Sequence, residues 1–279
     1  MDYWKRSGHT GKPRTADHIS VQNLAGLAPE LIEANAFPFR LGKALEGTGT
    51  AFALARSERI EDFFLKDSDV FLSKVDSYEP DVDRELLQQF VFLSSQVEVN
   101  TVNLAIASGL LARALRLDAD TPRIAPATIS STFSFPVRPT PRAVVHEHVH
   151  GQVEIDAAFL ARRDGYTVLV VLEAKHGRGS EDKETLAKTK LAYPASAICR
   201  SPDPPAHIPI VPVYLRSFTE GEQIMFRVVE CVWPGLDSLR VTDPEPPAVT
   251  SLEIARVGPT LRLELDPSWA LSVSGTLRR

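Results

Sequence analysis

The chain has 279 residues, 43% hydrophobic and 24% charged, with a formal net charge of −5. That length can bury a proper core, and the composition is that of an ordinary soluble globular protein. The acidic balance excludes a globally basic nucleic-acid binder, and two cysteines, Cys199 and Cys231, exclude a disulfide framework or a zinc-ligand spacing.

The start, MDYWKRSGHTGKPR, has no apolar run behind its charges, so no signal peptide is expected. The longest apolar runs, such as TVLVVLEA, are far too short to cross a membrane. With reduced cysteines, the expected location is the cytoplasm. Positive charge gathers locally, in Lys5, Arg6, Lys12 and Arg14 and again in Arg162, Arg163, Lys175, Arg178, Lys183, Lys188 and Lys190. Such runs read first as solvated surface.

Residues 1–85 form an N-terminal region with mixed signals. FPFRLGKALEGTGTAFALARS offers short strands or a glycine-rich turn, and its Gly-Thr-Gly lacks the spacing of a phosphate loop. Helical periodicity begins near Asp83 and continues through SQVEVNTVNLAIASGLLARAL, where Val102, Ala105, Ile106, Gly109 and Leu110 form one stripe. Glu98 lies one turn earlier on that stripe. Strands are predicted over 132–137, 143–160 and 166–175. SEDKETLAKTKLAY predicts a helix, with Ser180 as N-cap and Pro194 ending or kinking it. Two further strands follow in PPAHIPIVPVYLRSF and EQIMFRVVECVW. TDPEPPAV then marks a linker before a short C-terminal pair of strands. The expected organisation is a core over 86–235 and C-terminal strands over 236–279, in a mixed α/β layer architecture.

The stretch VEIDAAFLARRDGYTVLVVLEAKHG, residues 153–177, places two carboxylates and an amine in apolar strands. Asp164-Gly165 is a favoured two-residue hairpin turn. With Arg163 opposite Tyr166, Asp156 faces Glu173 and Glu154 faces Lys175, all four on one side of the sheet. Val153, Ile155, Ala157 and Phe159, with Val168, Val170, Leu172 and Ala174, then form an apolar face. Like charges directly opposed destabilise a sheet, so Asp156 and Glu173 must share a proton, take a cation or draw on Lys175. Carboxylate oxygens suit Mg²⁺, and a neighbouring lysine can orient or deprotonate a water and stabilise a pentavalent phosphate. The alternative is a Glu154–Lys175 ion pair with Asp156 solvated at a sheet edge.

Asp156, sixteen residues, then Glu173-Ala174-Lys175 on an apolar strand resembles the PD-(D/E)xK nuclease superfamily, and the order helix, three strands, helix, strand resembles its restriction-endonuclease-like core. SQVEVNTVNLAIASGLL, FSFPV, VEIDAAF, LEAKHG and LAYP resemble successive blocks of a family of Type II restriction endonucleases. The usual Pro-Asp pair is absent, because Ile155 precedes Asp156. The resemblance implies a central mixed sheet flanked by helices, Mg²⁺ on Asp156 and Glu173, a water-assisting Lys175 and Glu98 as a further helix-borne acid. It also implies cleavage of double-stranded DNA at a specific sequence, leaving a 5′-phosphate and a 3′-hydroxyl. A homodimer and a cognate DNA methyltransferase are the expected partners. Lys183, Lys190, Arg178 and His150 are candidate DNA contacts.

His146, His148 and His150 alternate, sharing a strand face by parity with Glu154 and Asp156, so they could ligate a metal or line a DNA path. No nucleophile elbow or Cys-His arrangement supports another hydrolase. Tyr3 and Trp4 beside Lys5 and Arg6 could stack on nucleic acid or be a frayed terminus. A repair or structure-specific nuclease of the same fold, a catalytically inactive DNA-binding protein and a plain sheet protein are the rival expectations.

Overall fold

A computed structural model describes residues 20–46, 49–71, 75–83, 85–87, 90, 98–121, 123–178, 185–201, 208–220, 223–234 and 245–264. Among these, no helix is long and apolar enough to cross a membrane. The architecture is α/β, with one ten-stranded mixed sheet flanked by a few helices.

In chain order the strands of the first part are β1 (Ala36–Lys43), β2 (Thr50–Arg56), β3 (Phe64–Lys66) and β4 (Val75–Ser77). Helices α1 (Glu98–Ala107) and α2 (Leu110–Leu115) follow, then strands β5 (Ala127–Val137), β6 (His146–Arg163), β7 (Tyr166–Arg178) and β8 (Thr185–Ala187). Helix α3 (Thr189–Cys199) leads to β9 (Ile210–Glu220), β10 (Gln223–Val232), β11 (Glu253–Val257) and β12 (Thr260–Glu264). The sheet runs β2-β1-β6-β7-β9-β10-β12-β4, with β5 also on β6 and β11 also on β10, while β3 and β8 form a separate ribbon.

The N-terminal β1–β2 hairpin joins this sheet through a parallel bridge, Gly42 to Val149. Gly42 has φ +78°, and a Cβ there would stand 2.2 Å from the Val149 carbonyl, so only glycine permits the approach. The expected C-terminal pair is corrected: β11 and β12 do not pair with each other but each lies antiparallel to β10. The expected helix over 180–193 is also corrected. Ser180 lies outside the described residues, 185–187 is strand, and the helix starts at Thr189 and passes through Pro194 to Cys199. Pro194 has no N–H for the Lys190 carbonyl, yet packing of Leu191, Ala192, Ala195, Ala197 and Ile198 in the core outweighs that loss.

Two apolar layers cover the sheet. One gathers Phe37, Phe39 and Phe63 with α3, and the other gathers α1 and α2 against Val168, Val170, Leu172 and Ala174. The predicted stripe is largely kept: Val102 and Ala105 on α1 and Leu110 on α2 are buried. Gly109, at φ +77°, breaks the helix into two.

Candidate active site

The β6–β7 hairpin closes as the sequence predicts. Asp164 (φ 53°) and Gly165 (φ 79°) make the turn, and Arg163 opposes Tyr166 in the predicted register up to Ala157 opposite Leu172. Asp118 holds the turn from outside, its carboxylate oxygens accepting from the backbone N–H groups of Asp164 and Gly165 at 2.9 and 3.0 Å.

One residue beyond that ladder the two strands part. Beyond it β7 keeps only the parallel pairing with β9 that runs from Leu169 to Arg178, while β6 continues on β5. Asp156 and Glu173 are therefore not a cross-strand pair, which corrects the expected direct opposition. Instead the Asp156 Oδ2 accepts the backbone N–H of Ala174 at 2.8 Å, taking the place of a ladder carbonyl.

A bulge causes the parting. On β5, Ala127 opposes Ala158 but Ile129 opposes Ile155, so Asp156 and Ala157 together face one residue. The extra residue turns the strand over. Val153 and Ile155 pack in the α3 layer with Ala158, whereas Ala157 packs in the α1 layer. The single apolar face expected for Val153, Ile155, Ala157 and Phe159 is thus divided between two layers, and Asp156 sits at the division.

Around that point the charged side chains converge. Glu173 is 2% exposed on the central strand. Its Oε1 lies 3.0 Å from Lys175 Nζ and 3.1 Å from Lys190 Nζ, within ion-pair distance but outside hydrogen-bond alignment. Its Oε2 is buried with no hydrogen-bond partner among the described residues. Lys175 Nζ also donates to Glu98 Oε1 at 3.3 Å, from the first residue of α1. Glu154 takes no part: it accepts from Gln152 at 3.2 Å, so the Glu154–Lys175 pair is replaced by Lys175 between Glu173 and Glu98.

Burial, aided by Asp156, pushes the Glu173 carboxyl above the ordinary carboxylate range, against the pull of Lys190 and Lys175. Burial also opposes charge on Lys175, but Glu173, Glu98 and Asp156 outweigh it and hold the ammonium above the ordinary lysine value. The site is a carboxylate–ammonium cluster in which Glu173 Oε2 has no hydrogen-bond partner among the described residues. Behind it, Arg216 of β9, opposite Lys175 in register, pairs with buried Asp67 at 3.5 Å, and the Tyr214 hydroxyl donates to Asp67 at 3.1 Å. These two inward-facing residues of β9 anchor the strand that carries β7.

Asp156 and Glu173 are the residues able to hold a metal. The orphaned Glu173 Oε2 is the observation that fits them to one, since a buried carboxylate oxygen without a donor carries a desolvation cost that a cation offsets. Among the described residues no three His, Cys, Asp or Glu side chains form a metal cage. Two carboxylates without a cage suit Mg²⁺, which keeps several waters.

The remaining expected residues are distributed differently. Lys190 comes to Glu173 from α3, so it belongs to the carboxylate cluster as well as to the basic surface. The β7 strand ends at Arg178, opposite Thr219 of β9. Lys183 lies outside the described residues. The three histidines do not share a face. A second bulge, where Phe133 opposes Gly151 but Phe135 opposes His148, falls at Val149 and His150, and His150 takes φ +42°. His150 is exposed, while His148 is 1% exposed against the rings of Phe135 and Tyr193 at 4.5 and 5.3 Å. Burial drives the His148 pKa down to about 4, so it is a neutral core residue. Arg40 and Gln152, which line a cavity beside Lys190, carried no motif in the sequence, and their meeting with Tyr193 of the LAYP block became visible only once β1, β6 and α3 were brought together.

No curated protein matches the chain. A family model does match over residues 74–240, a span holding Glu98, Asp156, Glu173, Lys175 and Lys190, and covering more than half of the chain. The protein therefore belongs to the family described as Domain of unknown function (DUF6997).

Proposed function

We propose that the protein is a Mg²⁺-dependent DNA endonuclease of the restriction-endonuclease-like fold, cutting double-stranded DNA at a specific sequence as a Type II restriction enzyme. The observation that carries this reading is the convergence of Asp156, Glu173, Lys175 and Glu98 where β6 and β7 part. The order α1, β5, β6, β7, α3, β9 supports the same core, with the short β8 inserted before α3.

Asp156 and Glu173 would hold Mg²⁺, which would supply a Lewis acid for a phosphate oxygen and lower the pKa of a water. The chain's own groups do the rest. Asp156 is held rigid by the Ala174 N–H, leaving its other oxygen free of hydrogen bonds among the described residues. Lys175, kept charged by its carboxylates, cannot accept a proton. Its ammonium orients the attacking water and stabilises charge growing on the phosphoryl oxygens. Glu98 fixes the ammonium from the helix side, and Lys190 adds a second cation for the backbone phosphate. Water attacks phosphorus in line, losing its proton to solvent, and the 3′ oxygen leaves and takes a proton from solvent, giving a 5′-phosphate and a 3′-hydroxyl. Cutting both strands of a symmetric site takes two such centres, hence a homodimer whose two-fold axis matches that of the DNA. A companion methyltransferase acting on the same site would protect the host's DNA.

The test is plasmid cleavage with Mg²⁺ by the wild type, Asp156→Ala and Lys175→Ala. Discrete bands lost in both variants support the reading. No cutting by the wild type, with DNA retained in a salt-sensitive gel shift, would replace it by a DNA-binding protein without nuclease activity.

A further inference from the structure

Beside the carboxylate cluster lies a cavity of about 130 Å³, open on one side, between β1, β6 and the first turns of α3. Lys190 belongs to both: its ammonium reaches Glu173, and its side chain lines the cavity. The cavity has two kinds of wall. Pro38, Val153 and Pro194 are buried and apolar, with the Tyr193 ring beside them. Gln152 and Glu154 stand exposed at the rim, the Gln152 amide donating to the Glu154 carboxylate and to the Ser130 hydroxyl, both at 3.2 Å, and Arg40 also lines the cavity.

A slot of this size takes one planar ring; apolar cavities of ~150 Å³ hold a benzene-sized molecule. Its apolar walls suit the faces of such a ring, and its rim suits a polar edge. Glu154 can only accept when ionised, and Gln152, whose two amide N–H groups go to Ser130 and Glu154, offers its carbonyl oxygen as a second acceptor. The matching edge is an exocyclic amino group, as on cytosine or on the six-membered ring of adenine or guanine. Thymine, whose one N–H is flanked by carbonyls, would face the carboxylate poorly. A cation at the border between slot and cluster suits the phosphate of the same nucleotide.

We propose that this cavity holds an amino-bearing nucleobase, swung out of the DNA stack, from the strand whose phosphate lies at the Glu173–Lys190 border. The proposal rests on the nuclease reading and adds to it how the substrate is gripped. Unstacking costs a few kcal/mol, which the ring contacts and the edge hydrogen bonds offset. The cavity is therefore a specificity device, one that rewards sequences whose base at that position bears an amino group.

The test is calorimetric titration of the full chain, without Mg²⁺, with dAMP, dCMP, dGMP, dTMP and deoxyribose 5-phosphate. At least one amino-bearing nucleotide is expected to saturate, at least tenfold tighter than dTMP or the sugar phosphate. The double variant Gln152→Leu/Glu154→Leu, altered only at exposed positions and checked for folding by circular dichroism, should lose that preference. Equal binding of sugar phosphate and nucleotides, or an unchanged preference in the double variant, overturns the proposal. Parallel plasmid cleavage separates the two readings. Cutting without base-dependent binding removes the cavity's role and leaves the nuclease; base-dependent binding without cutting removes the nuclease and leaves a free-nucleotide site. On a duplex spanning a mapped cut, 2-aminopurine at the gripped position should brighten several-fold on binding by Asp156→Ala. Flat fluorescence at every position overturns the strand-borne source.

Discussion

The two ends of the β6–β7 hairpin are built by opposite rules. At the turn end the ladder is regular from Arg163–Tyr166 to Ala157–Leu172, and Asp118 ties down the turn. At the open end a bulge at Asp156–Ala157 breaks the ladder, the two strands part while each keeps its outer neighbour, and buried charge replaces apolar side chains. Regular pairing satisfies every backbone group, and so leaves none to hold a carboxylate. The irregular end releases one N–H, that of Ala174, and Asp156 takes it. The charged cluster sits where the sheet stops being regular.

The largest expected effect tests the open end. Asp156→Ala or Lys175→Ala should lower plasmid cleavage by about 10³-fold or more, while circular dichroism stays unchanged. A variant that retains near-normal cutting would remove the cluster from the chemistry.

Next comes the other bulge. Because His148 is buried neutral, with its pKa depressed to about 4 against ~6.5 unfolded, the unfolded chain binds the extra proton between those values. Its contribution is therefore complete above about pH 6.5 and falls away as pH drops toward about 4, by at most about 3 kcal/mol. Urea denaturation of the wild type and His148→Phe at pH 7 and pH 4.5 should show a smaller loss in the variant. Equal losses would mean that His148 is protonated in the folded state.

A metal sharpens the comparison from the ligand side. Mg²⁺ at ~100 times its Kd should stabilise the wild type by about 2.7 kcal/mol. The melting temperature should rise accordingly, and the rise should vanish in Asp156→Asn. An equal rise in both proteins would place the ion elsewhere.

The smallest effect belongs to the turn end. Asp118→Ala removes two hydrogen bonds from an exposed turn and should cost about 1 kcal/mol. Thermal melting would register it, and kcat should not move. A loss of cutting without a loss of stability would show the two ends to be coupled.

Much of this hairpin was legible in the sequence. Asp164-Gly165 demands two positive φ values, so the turn and the register near it follow from local chemistry. The paired carboxylates and Lys175 were legible because charge is conspicuous on strands of Val, Leu and Ala. Glu98 was legible because the period of α1 sets its face. The bulges were not. Nothing in Ile155-Asp156-Ala157 or Val149-His150 marks an extra residue, because a bulge is decided by the partner strand β5, more than ten residues away in the chain. For that reason parity arguments placed the three histidines together and set Asp156 against Glu173.

Helix α3 divides the same way. Its lysines and apolar residues read as helix, but residues 185–187 became a strand because β3 was there to pair with them. The sequence by itself determined what needs only neighbours along the chain: the tight turn, the strand alternation beside it, the helical stripe and the identity of the charged groups. Tertiary structure alone decided where the ladder breaks, which oxygen of Glu173 goes without a partner, and that Lys190 joins the cluster. Those outcomes depend on which strands and helices meet, and no local propensity encodes a meeting across the fold.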